Sequence, residues 1–549
     1  MPDRTLEKSE FTAAASNVSS KTNLINLGFL ALVGCLVVAV GVWLLAFGGA
    51  ENVGLRNGDS SSDQAVVTVP TDTPATSVAP LGFAHVPCAF TVPSGENVEC
   101  GYLTVPESRT QTNGHVIRLP VAVLKSPSSE RRPDPIVYLD GGPGADTLEE
   151  FSLLDAAIKP LLANRDLIVF DQRGAGSSEP SLDCPEITQL NYDHLERQFT
   201  VDERVAQDAA AATRCHDRLL NKGVDPASAT SAENAADVND LRLALGYDQW
   251  NLYGVSYGTR LALTVVRDYP QGVRSVILDS VYPLQVNLYT DLPGNFDRAL
   301  KVLFESCAAD ADCSSAYPDL EAAFYETVRS LNERPVNVAL GTVFERPIEG
   351  AVIDGDWFAA FMFQSLYSAQ LIPVIPRAIF ATRDHDYRLL TILADAYLQD
   401  TKFLSVGMYL SVQCGEELPF TTREAAIAAG AIDQRLSSYN EYGAKSIFAS
   451  CRVWQAKVAA DVENEAVTSA IPTLVLSGQF DPITPPAWGR LASQDLSDSF
   501  FFEFPGIGHG VVLADQCPLG IALTFLDNPQ NPPPSDCIDR MSGPPWIVN

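Results

Sequence analysis

One stretch, from Trp250 to Thr259 (WNLYGVSYGT), constrains the fold of this chain more than any other. Residues 251–253 predict a short buried strand, Gly254 to Gly258 match the pattern G-x-S-x-G, and residues 259–269 have a helical pattern. In such a strand–turn–helix the glycines allow a tight turn, and the central serine projects its hydroxyl above the sheet. The stretch therefore predicts a sheet packed against helices, with Ser256 as a nucleophile at the end of one strand.

Short apolar segments alternate with helical ones through much of the chain. Helical periods at 201–219 and 231–245 lie between the predicted strands 166–170 and 251–253. Apolar strands joined by helices indicate an α/β fold with a mostly parallel sheet and helices on both faces. The first two strands are predicted as an antiparallel pair at a sheet edge. In chain order the predicted strands are 90–105, 116–124, 135–139, 166–170, 251–253, 274–279, 472–477 and 499–504.

The alternation stops between residues 283 and 470, where the pattern is mostly helical and strand signals are few. An insertion of this size between two strands of one sheet indicates a large, mainly helical cap domain. Such a cap covers the carboxyl ends of the strands, where open α/β sheets bind ligands. The predicted cap helices are 295–305, 320–331, 356–366 and 387–397.

An apolar segment precedes the folded part. Residues 24–47 carry no charged side chain and are long enough to span a bilayer, which favours a retained transmembrane anchor. A cleaved signal peptide and lipid attachment at Cys35 are the alternatives. Arg4, Lys8 and Lys21 favour an N-terminus inside the cell. The folded part is therefore expected outside the cytoplasm, anchored to the membrane or secreted after cleavage.

Composition and pattern divide the chain into six segments. The Ser-, Thr- and Pro-rich stretch before residue 81 has no helical period and predicts a flexible tether. The segments are a cytoplasmic tail (1–23), the anchor or signal (24–47), the linker (48–80), the first part of the sheet domain (81–282), the helical cap (283–470) and the second part of the sheet domain (471–549).

Cysteine usage agrees with export. Eleven cysteines are present, and the ten outside the apolar segment fall as close pairs, none of them spaced as CxxC. An even number of paired cysteines favours disulfides in an oxidising compartment. Ten cysteines allow about 945 connectivities, so the connectivity stays open. Pairing in sequence order would join Cys88 to Cys100, Cys184 to Cys215, Cys307 to Cys313, Cys414 to Cys451 and Cys517 to Cys537.

The charge balance limits the classes of partner. Lys and Arg number 37 against 68 Asp and Glu, which gives a formal net charge of −31. A surface this acidic repels phosphate backbones, so nucleic acid is not an expected partner. The sequence contains no P-loop, no GxGxxG and no tandem repeat. No metal or cofactor is expected, and the oligomeric state is left open.

A serine nucleophile needs a general base, and the base needs an acid that orients it. In this architecture the acid and then the base follow the serine in sequence. Of the six histidines only His509 follows the last predicted strands, in a loop between two glycines. Asp481 comes shortly after the strand 472–477. The predicted catalytic triad is therefore Ser256, Asp481 and His509.

The oxyanion formed during attack needs two backbone N–H donors. One is expected from Tyr257, which directly follows the nucleophile. The other is expected from the loop after strand 135–139, where Gly141 and Gly142 allow close approach of the backbone. Pro143 has no N–H group, which makes Gly142 the predicted donor.

The motifs GGPG, DQRGAGSS, GVSYGT, SGQFDPITP and GIGHG together resemble the proline iminopeptidase and tripeptidyl aminopeptidase branch of the α/β-hydrolases. The resemblance covers most of 116–282 and 471–526 and implies an α/β-hydrolase fold. The tyrosine after the serine, the paired cysteines and the long cap are more similar to the secreted tripeptidyl form. Asp140 stands where proline iminopeptidases more often have His, which argues against strict proline specificity. Asp171 and Arg173 are predicted as structural residues of an ion-paired loop beneath the site; the alternative is a direct contact with the substrate.

The triad and the resemblance together predict a serine exopeptidase. It is expected to release short N-terminal peptides or single residues, through an acyl-enzyme, from peptides with a free N-terminus. An esterase or amidase with the same triad is one alternative, and a catalytically silent binding ectodomain is another. Dehalogenase and epoxide hydrolase chemistry is disfavoured because those sites have Asp at the position of Ser256.

An exopeptidase has to recognise a charged N-terminus, so an anion is expected in the cap at a fixed distance from Ser256. Glu416 and Glu417 follow Cys414, where a disulfide would stiffen the loop, and precede an apolar Leu-Pro-Phe. One of these glutamates is predicted to bind the substrate amine; the alternative is a surface or structural role.

Overall fold

The structure is a computed structural model that describes residues 82–90, 92, 97–110, 114–153, 158–340 and 348–548. The predicted tail, the segment 24–47 and the linker lie outside these residues. Within the described residues, none of the helices has the length and apolar character needed to cross a membrane.

A nine-stranded sheet forms the centre of the molecule, in the order β1-β2-β3-β5-β4-β6-β7-β10-β11. Its first three strands are antiparallel, and the six from β5 to β11 run parallel. The strands are β1 (Phe83–His85), β2 (Val98–Pro106), β3 (Val116–Leu124), β4 (Ile136–Leu139), β5 (Leu167–Phe170), β6 (Trp250–Val255), β7 (Val273–Asp279), β10 (Thr473–Gly478) and β11 (Ser499–Phe504).

Sixteen α-helices are described, and five of them precede β7. These are α1 (Thr147–Leu153), α2 (Pro185–Glu196), α3 (Val201–Asn221), α4 (Ser231–Ala244) and α5 (Tyr257–Asp268). Between β7 and β10 lie α6 (Leu288–Ala309), α7 (Ala311–Ala316), α8 (Leu320–Glu333), α9 (Gly355–Ser365), α10 (Ile375–Arg383), α11 (Arg388–Asp400), α12 (Val406–Val412), α13 (Arg423–Ala429) and α14 (Ser437–Trp454). The last two are α15 (Pro486–Ser493) and α16 (Gln516–Asp527).

Helices cover both faces of the sheet because successive side chains of a strand point to opposite sides. Leu252 packs in a core with Leu261 of α5, whereas its neighbour Tyr253 packs in a second core with Phe525 of α16. All six residues of β6 are buried. This double burial explains why the parallel strands are continuous apolar runs, and it confirms the predicted α/β architecture.

The chain between β7 and β10 is mainly helical, as predicted, and has a core of its own that includes Phe324 and Phe358. It also contains an antiparallel pair, β8 (Val336–Leu340) with β9 (Ile348–Ile353), which the helical pattern did not predict. This insertion is called the cap below.

Five disulfides join the cysteines in sequence order, the connectivity that the spacing had left open. The bond between Cys88 and Cys100 also corrects the predicted strand 90–105. It holds the two Cα atoms 5.1 Å apart, so the chain between them has to reverse direction. The described strand β2 therefore begins only at Val98.

The predicted site residues lie together at the carboxyl edge of the parallel strands. Strands β4, β6, β7, β10 and β11 run in the same direction and end side by side. Asp279 is the last residue of β7, and the loops that follow the other four ends contain Gly142, Ser256, Asp481 and His509. Residues from five distant parts of the sequence thus meet at the carboxyl edge of the sheet.

Candidate active site

Ser256 lies in a strained turn between β6 and α5. Its backbone has φ 57° and ψ −124°, a conformation that a non-glycine residue adopts rarely. Its N–H donates to the carbonyl of Asp279 at 3.0 Å. A Cβ on Gly258 would lie 1.8 Å from the Leu139 carbonyl oxygen, and one on Gly254 2.3 Å from that of Gly258. Both glycines of the motif are thus required by close backbone approach.

Asp481 and His509 form a hydrogen bond: the histidine Nδ1 lies 2.8 Å from Oδ2 of the carboxylate. Asp481 is fully buried and also accepts the N–H groups of Ile483 and Thr484. Burial alone raises the pKa of this carboxyl. The nearby His509, together with hydrogen bonds from His509 and Thr484, outweighs burial and holds the pKa below its ordinary value. The acid therefore remains an anion that can orient an imidazole.

Thr484 is a site residue that the sequence reasoning missed. Its hydroxyl lies 2.7 Å from Oδ2 of Asp481 and 3.1 Å from Nδ1 of His509. A carboxylate only accepts, so the threonine hydroxyl donates to it. The signal was present in the sequence, because a threonine three residues after a strand-end Asp is placed to return a hydrogen bond across the turn.

The loop of His509 is held from two sides. From the cap, the Tyr367 carbonyl accepts the His509 N–H at 2.9 Å, and the Tyr367 ring centroid lies 4.7 Å from the imidazole. From the sheet, buried Asp279 accepts the N–H groups of Val511 at 2.6 Å and Val512 at 2.8 Å. Burial raises the pKa of Asp279 to about 6. Asp279 ends the predicted strand 274–279, and that position was the overlooked signal.

The predicted oxyanion loop packs directly against the nucleophile. A Cβ on Gly141 would lie 2.9 Å from Cβ and 3.4 Å from Oγ of Ser256. The Gly141 N–H is already donated to Oδ1 of Asp140 at 2.7 Å, whereas Gly142 follows with φ 102°. The Gly141 N–H is thus engaged within the loop, and Gly142 and Tyr257 remain the predicted oxyanion donors.

Asp171 and Arg173 have the structural role that was predicted, but they do not pair with each other. The Arg173 guanidinium is fully buried and binds both carboxylate oxygens of Asp237, at 2.7 and 2.8 Å. Asp171 instead accepts the N–H groups of Leu148 and Ser177. Burial raises the pKa of Asp171 to about 7. Both residues hold loops together, but through separate partners.

Glu416 and Glu417 are placed where a substrate amine does not reach them. Both are about 1% exposed, in the π-helical turn Gln413–Glu417 that follows α12. Glu416 accepts from the N–H and the hydroxyl of Ser231, each at 2.6 Å. Glu417 accepts the Leu288 N–H at 2.8 Å and lies 2.9 Å from Arg260. The expectation of an amine site is corrected here, since both carboxylates already have partners inside the protein.

These glutamates connect the cap to the nucleophile helix. Arg260 belongs to α5 and is about 1% exposed. Ser231, which binds Glu416, also lies 2.8 Å from the phenol oxygen of Tyr257, the residue after the nucleophile. A buried ion pair of this kind is costly to break on one side only. The two glutamates therefore serve the structure beneath the site.

A cavity of about 560 Å³ lies between α3 and the cap helices. Most of its lining is aromatic or aliphatic. One of its walls includes Leu404, whose methyl group would lie 2.9 Å from a Cβ on Gly142. Another includes Phe363, whose ring centroid is 5.6 Å from that of Tyr367 beside His509. The cavity wall thus borders the predicted oxyanion loop through Leu404, and Phe363 in the wall contacts Tyr367, which in turn contacts His509. Among the described residues no cluster of His, Cys, Asp or Glu is suited to a metal ion.

Comparisons with known proteins agree with this arrangement. Residues 134–309 match the model of the alpha/beta hydrolase fold family, and residues 437–537 match that of the TAP-like proteins. The serine protease Hip1 of Mycobacterium tuberculosis is 25% identical over 459 residues, 79% of this chain and 86% of that protein. The tripeptidyl aminopeptidase of Streptomyces coelicolor is 31% identical over 193 residues, 34% of this chain and 35% of that one.

The chain belongs to the tripeptidyl aminopeptidase and proline iminopeptidase branch of the α/β-hydrolases. It is a serine peptidase of the α/β-hydrolase type. The chain is also similar to a solved structure, the proline iminopeptidase of Mycobacterium smegmatis. The match covers 78% of this chain and 98% of that one, with a TM-score of 0.38 and 16% identity.

Proposed function

We propose that this α/β-hydrolase removes short peptides or single residues from the free N-terminus of peptides, through an acyl-enzyme on Ser256. The observation that carries the proposal is the hydrogen bond between His509 and buried Asp481, at the sheet edge where the turn presents Ser256. Relatives named tripeptidyl aminopeptidase and proline iminopeptidase support the substrate class.

In the proposed mechanism Ser256 Oγ attacks the peptide carbonyl while His509 takes its proton through Nε2. Asp481 holds the Nδ1 proton and stabilises the imidazolium. The N–H groups of Tyr257 and Gly142 bind the oxyanion. His509 then protonates the leaving amine, and water releases the acyl group by the same steps in reverse order.

The first test separates this mechanism from its alternatives. Ser256→Ala and His509→Ala should each reduce kcat by about 10⁴- to 10⁶-fold, as expected for members of one catalytic unit. Circular dichroism and thermal melting should show an intact fold. If Ser256→Ala keeps more than about 1% of the wild-type rate, another nucleophile is at work. A wild-type protein that no fluorophosphonate labels would instead favour a silent binding ectodomain.

A second test concerns the substrate class. Aminoacyl and tripeptidyl arylamides should be better substrates than simple p-nitrophenyl esters of similar size, measured as kcat/KM under identical conditions. The reverse order, with no cleavage of free-amine peptides, would support the esterase or amidase alternative.

The amine site is proposed at Asp356 in place of the glutamates. This aspartate lines the cavity and is about 9% exposed. It accepts the Ser438 hydroxyl at 2.6 Å and forms no ion pair with another described residue. Burial raises its pKa, and Ser438, Asn332 and the charge of Arg204 offset that effect only in part, so a bound ammonium would supply a compensation that the carboxylate lacks.

Asp356→Asn should raise KM for free-amine peptides about tenfold or more, the value of one charge-assisted hydrogen bond. N-acetylated peptides and esters should show no comparable change. Asp386→Asn, on a partly exposed cap residue whose carboxylate binds Arg388 outside the cavity, is the matched control. An equal loss on both substrate types, or none on either, would move the amine site elsewhere.

We further propose that residues 24–47 anchor the enzyme with its catalytic part outside the cytoplasm. The five disulfides support an oxidising compartment. Protease added to intact cells should release a soluble active fragment that begins within residues 51–80. Release of the full folded part without protease would favour signal cleavage and secretion instead.

A further inference from the structure

One cation in the cavity has no hydrogen-bond acceptor among the residues that the structure describes. Arg204 lies in the first turns of α3, lines the cavity and is about 9% exposed. Toward the described residues its side chain donates no hydrogen bond and forms no ion pair, and its Nε is buried without a partner. A guanidinium carries five N–H donors, and buried donors are nearly always satisfied.

Aromatic stacking orients this guanidinium. Its Cζ lies 3.8 Å from the ring centroid of Tyr442 and 5.1 Å from that of Trp357. Both rings line the same cavity. Contact with an aromatic face fixes the plane of the guanidinium and leaves the N–H groups at its edge available. Such a fork is pre-organised for a planar acceptor with two oxygens.

The two other charged groups in the cavity wall are engaged elsewhere. Asp208 accepts the Tyr442 hydroxyl at 2.9 Å and the Ser446 hydroxyl at 2.6 Å. Asp356 accepts from Ser438. No ion pair joins Arg204 to either carboxylate, although Arg204 interacts electrostatically with Asp356. One arginine and two aspartates give the lining a formal charge of −1. An ammonium bound to Asp356 would bring the charge of the cavity to zero. A substrate that carries both an ammonium and a carboxylate would leave the charge at −1.

We propose that Arg204 binds a carboxylate of the substrate, the acidic side chain of its N-terminal residue. The inference rests on the proposed function, because only the acyl part of a peptide with a free amine would occupy this cavity. Arg204 and Asp356 line the same cavity and interact electrostatically, so an amine on Asp356 and a carboxylate on Arg204 belong to one substrate residue. The preferred substrates are peptides that begin with Glu or Asp.

The test uses matched pairs of arylamide substrates that differ only in an N-terminal Glu or Gln, made with one, two and three residues. For the best length, wild type should cleave the Glu substrate with a kcat/KM at least about tenfold higher, the value of one charge-assisted hydrogen bond. Arg204→Met keeps an unbranched stem but no charge and should bring the Glu/Gln ratio to about one. Arg204→Lys keeps the charge without the fork and should give an intermediate ratio.

Arg197→Met is the matched control, because Arg197 stacks on Phe199 at 4.3 Å but is exposed outside the cavity. It should keep the wild-type ratio. A wild-type ratio of one or less, or a ratio that Arg204→Met leaves unchanged, overturns the inference. Cleavage of the Gln substrates tests the proposed exopeptidase function separately. If the Gln substrates are cleaved as well as the Glu substrates, only the carboxylate site at Arg204 is refuted. If no peptide is cleaved, the carboxylate site and the proposed function are both refuted.

The carboxylate bound by Arg204 could belong to a first residue that also has a free amine, or to an N-terminal acyl group that has no amine. A succinyl peptide distinguishes these two sources. It carries the acid without an amine, so Asp356 should repel it, and its kcat/KM should fall below that of the Glu substrate. A succinyl peptide that is cleaved faster than the Glu peptide would show recognition of an acid without the amine and would overturn the assignment to the first residue's side chain.

Discussion

Replacing Thr484 by valine should remove one hydroxyl from beneath His509, the proposed catalytic base, while preserving the shape of the side chain. In the wild type, Oδ2 of Asp481 accepts both the threonine hydroxyl, at 2.7 Å, and His509 Nδ1, at 2.8 Å. The Thr484 N–H bond to Oδ1 of Asp481 at 2.8 Å does not depend on the side chain. Valine therefore deletes a single donor to a fully buried carboxylate and leaves the turn intact.

The size of the effect follows from that one bond. A hydrogen bond to a charged group contributes about 1.5–3 kcal/mol, which corresponds to roughly 10- to 150-fold in rate if all of it acts in the transition state. The loss should appear in kcat with KM almost unchanged, because Thr484 holds the triad acid rather than the substrate. Thr484 also helps to lower the pKa of Asp481. Without it that pKa rises, and activity is lost at a higher pH as the solution is acidified.

The assay is the steady-state hydrolysis of one arylamide peptide from pH 4 to 9, with thermal melting of each variant as a check on folding. Thr484→Ser keeps the hydroxyl and should restore kcat to within about threefold of wild type. The reasoning fails if Thr484→Val retains full kcat, or if Thr484→Ser is as impaired as Thr484→Val.

Three further predictions concern the loops and the stability of the fold. Gly508→Ala should lower kcat and slow fluorophosphonate labelling by more than about tenfold, because its Cβ would lie 2.1 Å from the Leu366 carbonyl oxygen; Gly520→Ala, with nothing within 4 Å, should be silent. The pKa values of Asp171 and Asp279 are raised by burial to about 7 and about 6, so the folded state holds these protons more tightly than the unfolded state. Their contribution to the free energy of unfolding is full below about pH 4 and is lost as pH rises through 6 to 7; urea titrations should show this slope, and Asp171→Asn should reduce it. Alkylation without reductant should modify none of the ten cysteines outside residues 24–47, and modification of all ten would contradict both the disulfides and the export of the catalytic part.

The sheet and the order of the site residues could be predicted because local signals determine them. Apolar runs gave the strands, and the glycines of the turn at Ser256 meet backbone atoms that any Cβ would strike. Asp481 and His509 follow strand ends, and parallel strands bring their ends together without further information. The hydrogen bond between these two side chains is thus the consequence of a topology that the alternation of strands and helices already specifies.

The partners of charged groups could not be predicted in the same way. Glu416 is paired through Ser231, which is 185 positions away, and Arg173 through Asp237, which is 64 positions away. Sequence order does not record which distant residue receives a buried charge. A motif such as DQRG therefore indicates that the charges are structural without identifying their partners. The amine site is a further example. The sequence argument pointed to the glutamates that follow Cys414, and Asp356 is proposed as the carboxylate that binds the amine only because it lines the cavity.

Arg298 shows that the cap helps to hold the loops of the site in place, so it cannot simply be exchanged for another cap. It belongs to cap helix α6, yet its guanidinium donates to the backbone carbonyls of Gln479 at 2.9 Å and Asp481 at 2.5 Å, in the loop that carries the triad acid. Tyr367, another cap residue, holds the backbone of His509. In evolution or in engineering, a foreign cap grafted onto this sheet would have to supply both contacts. The substrate preference of the cap and the chemistry of the sheet are therefore inherited together, and chimaeras that exchange only the insertion should lose catalysis before they acquire a new specificity.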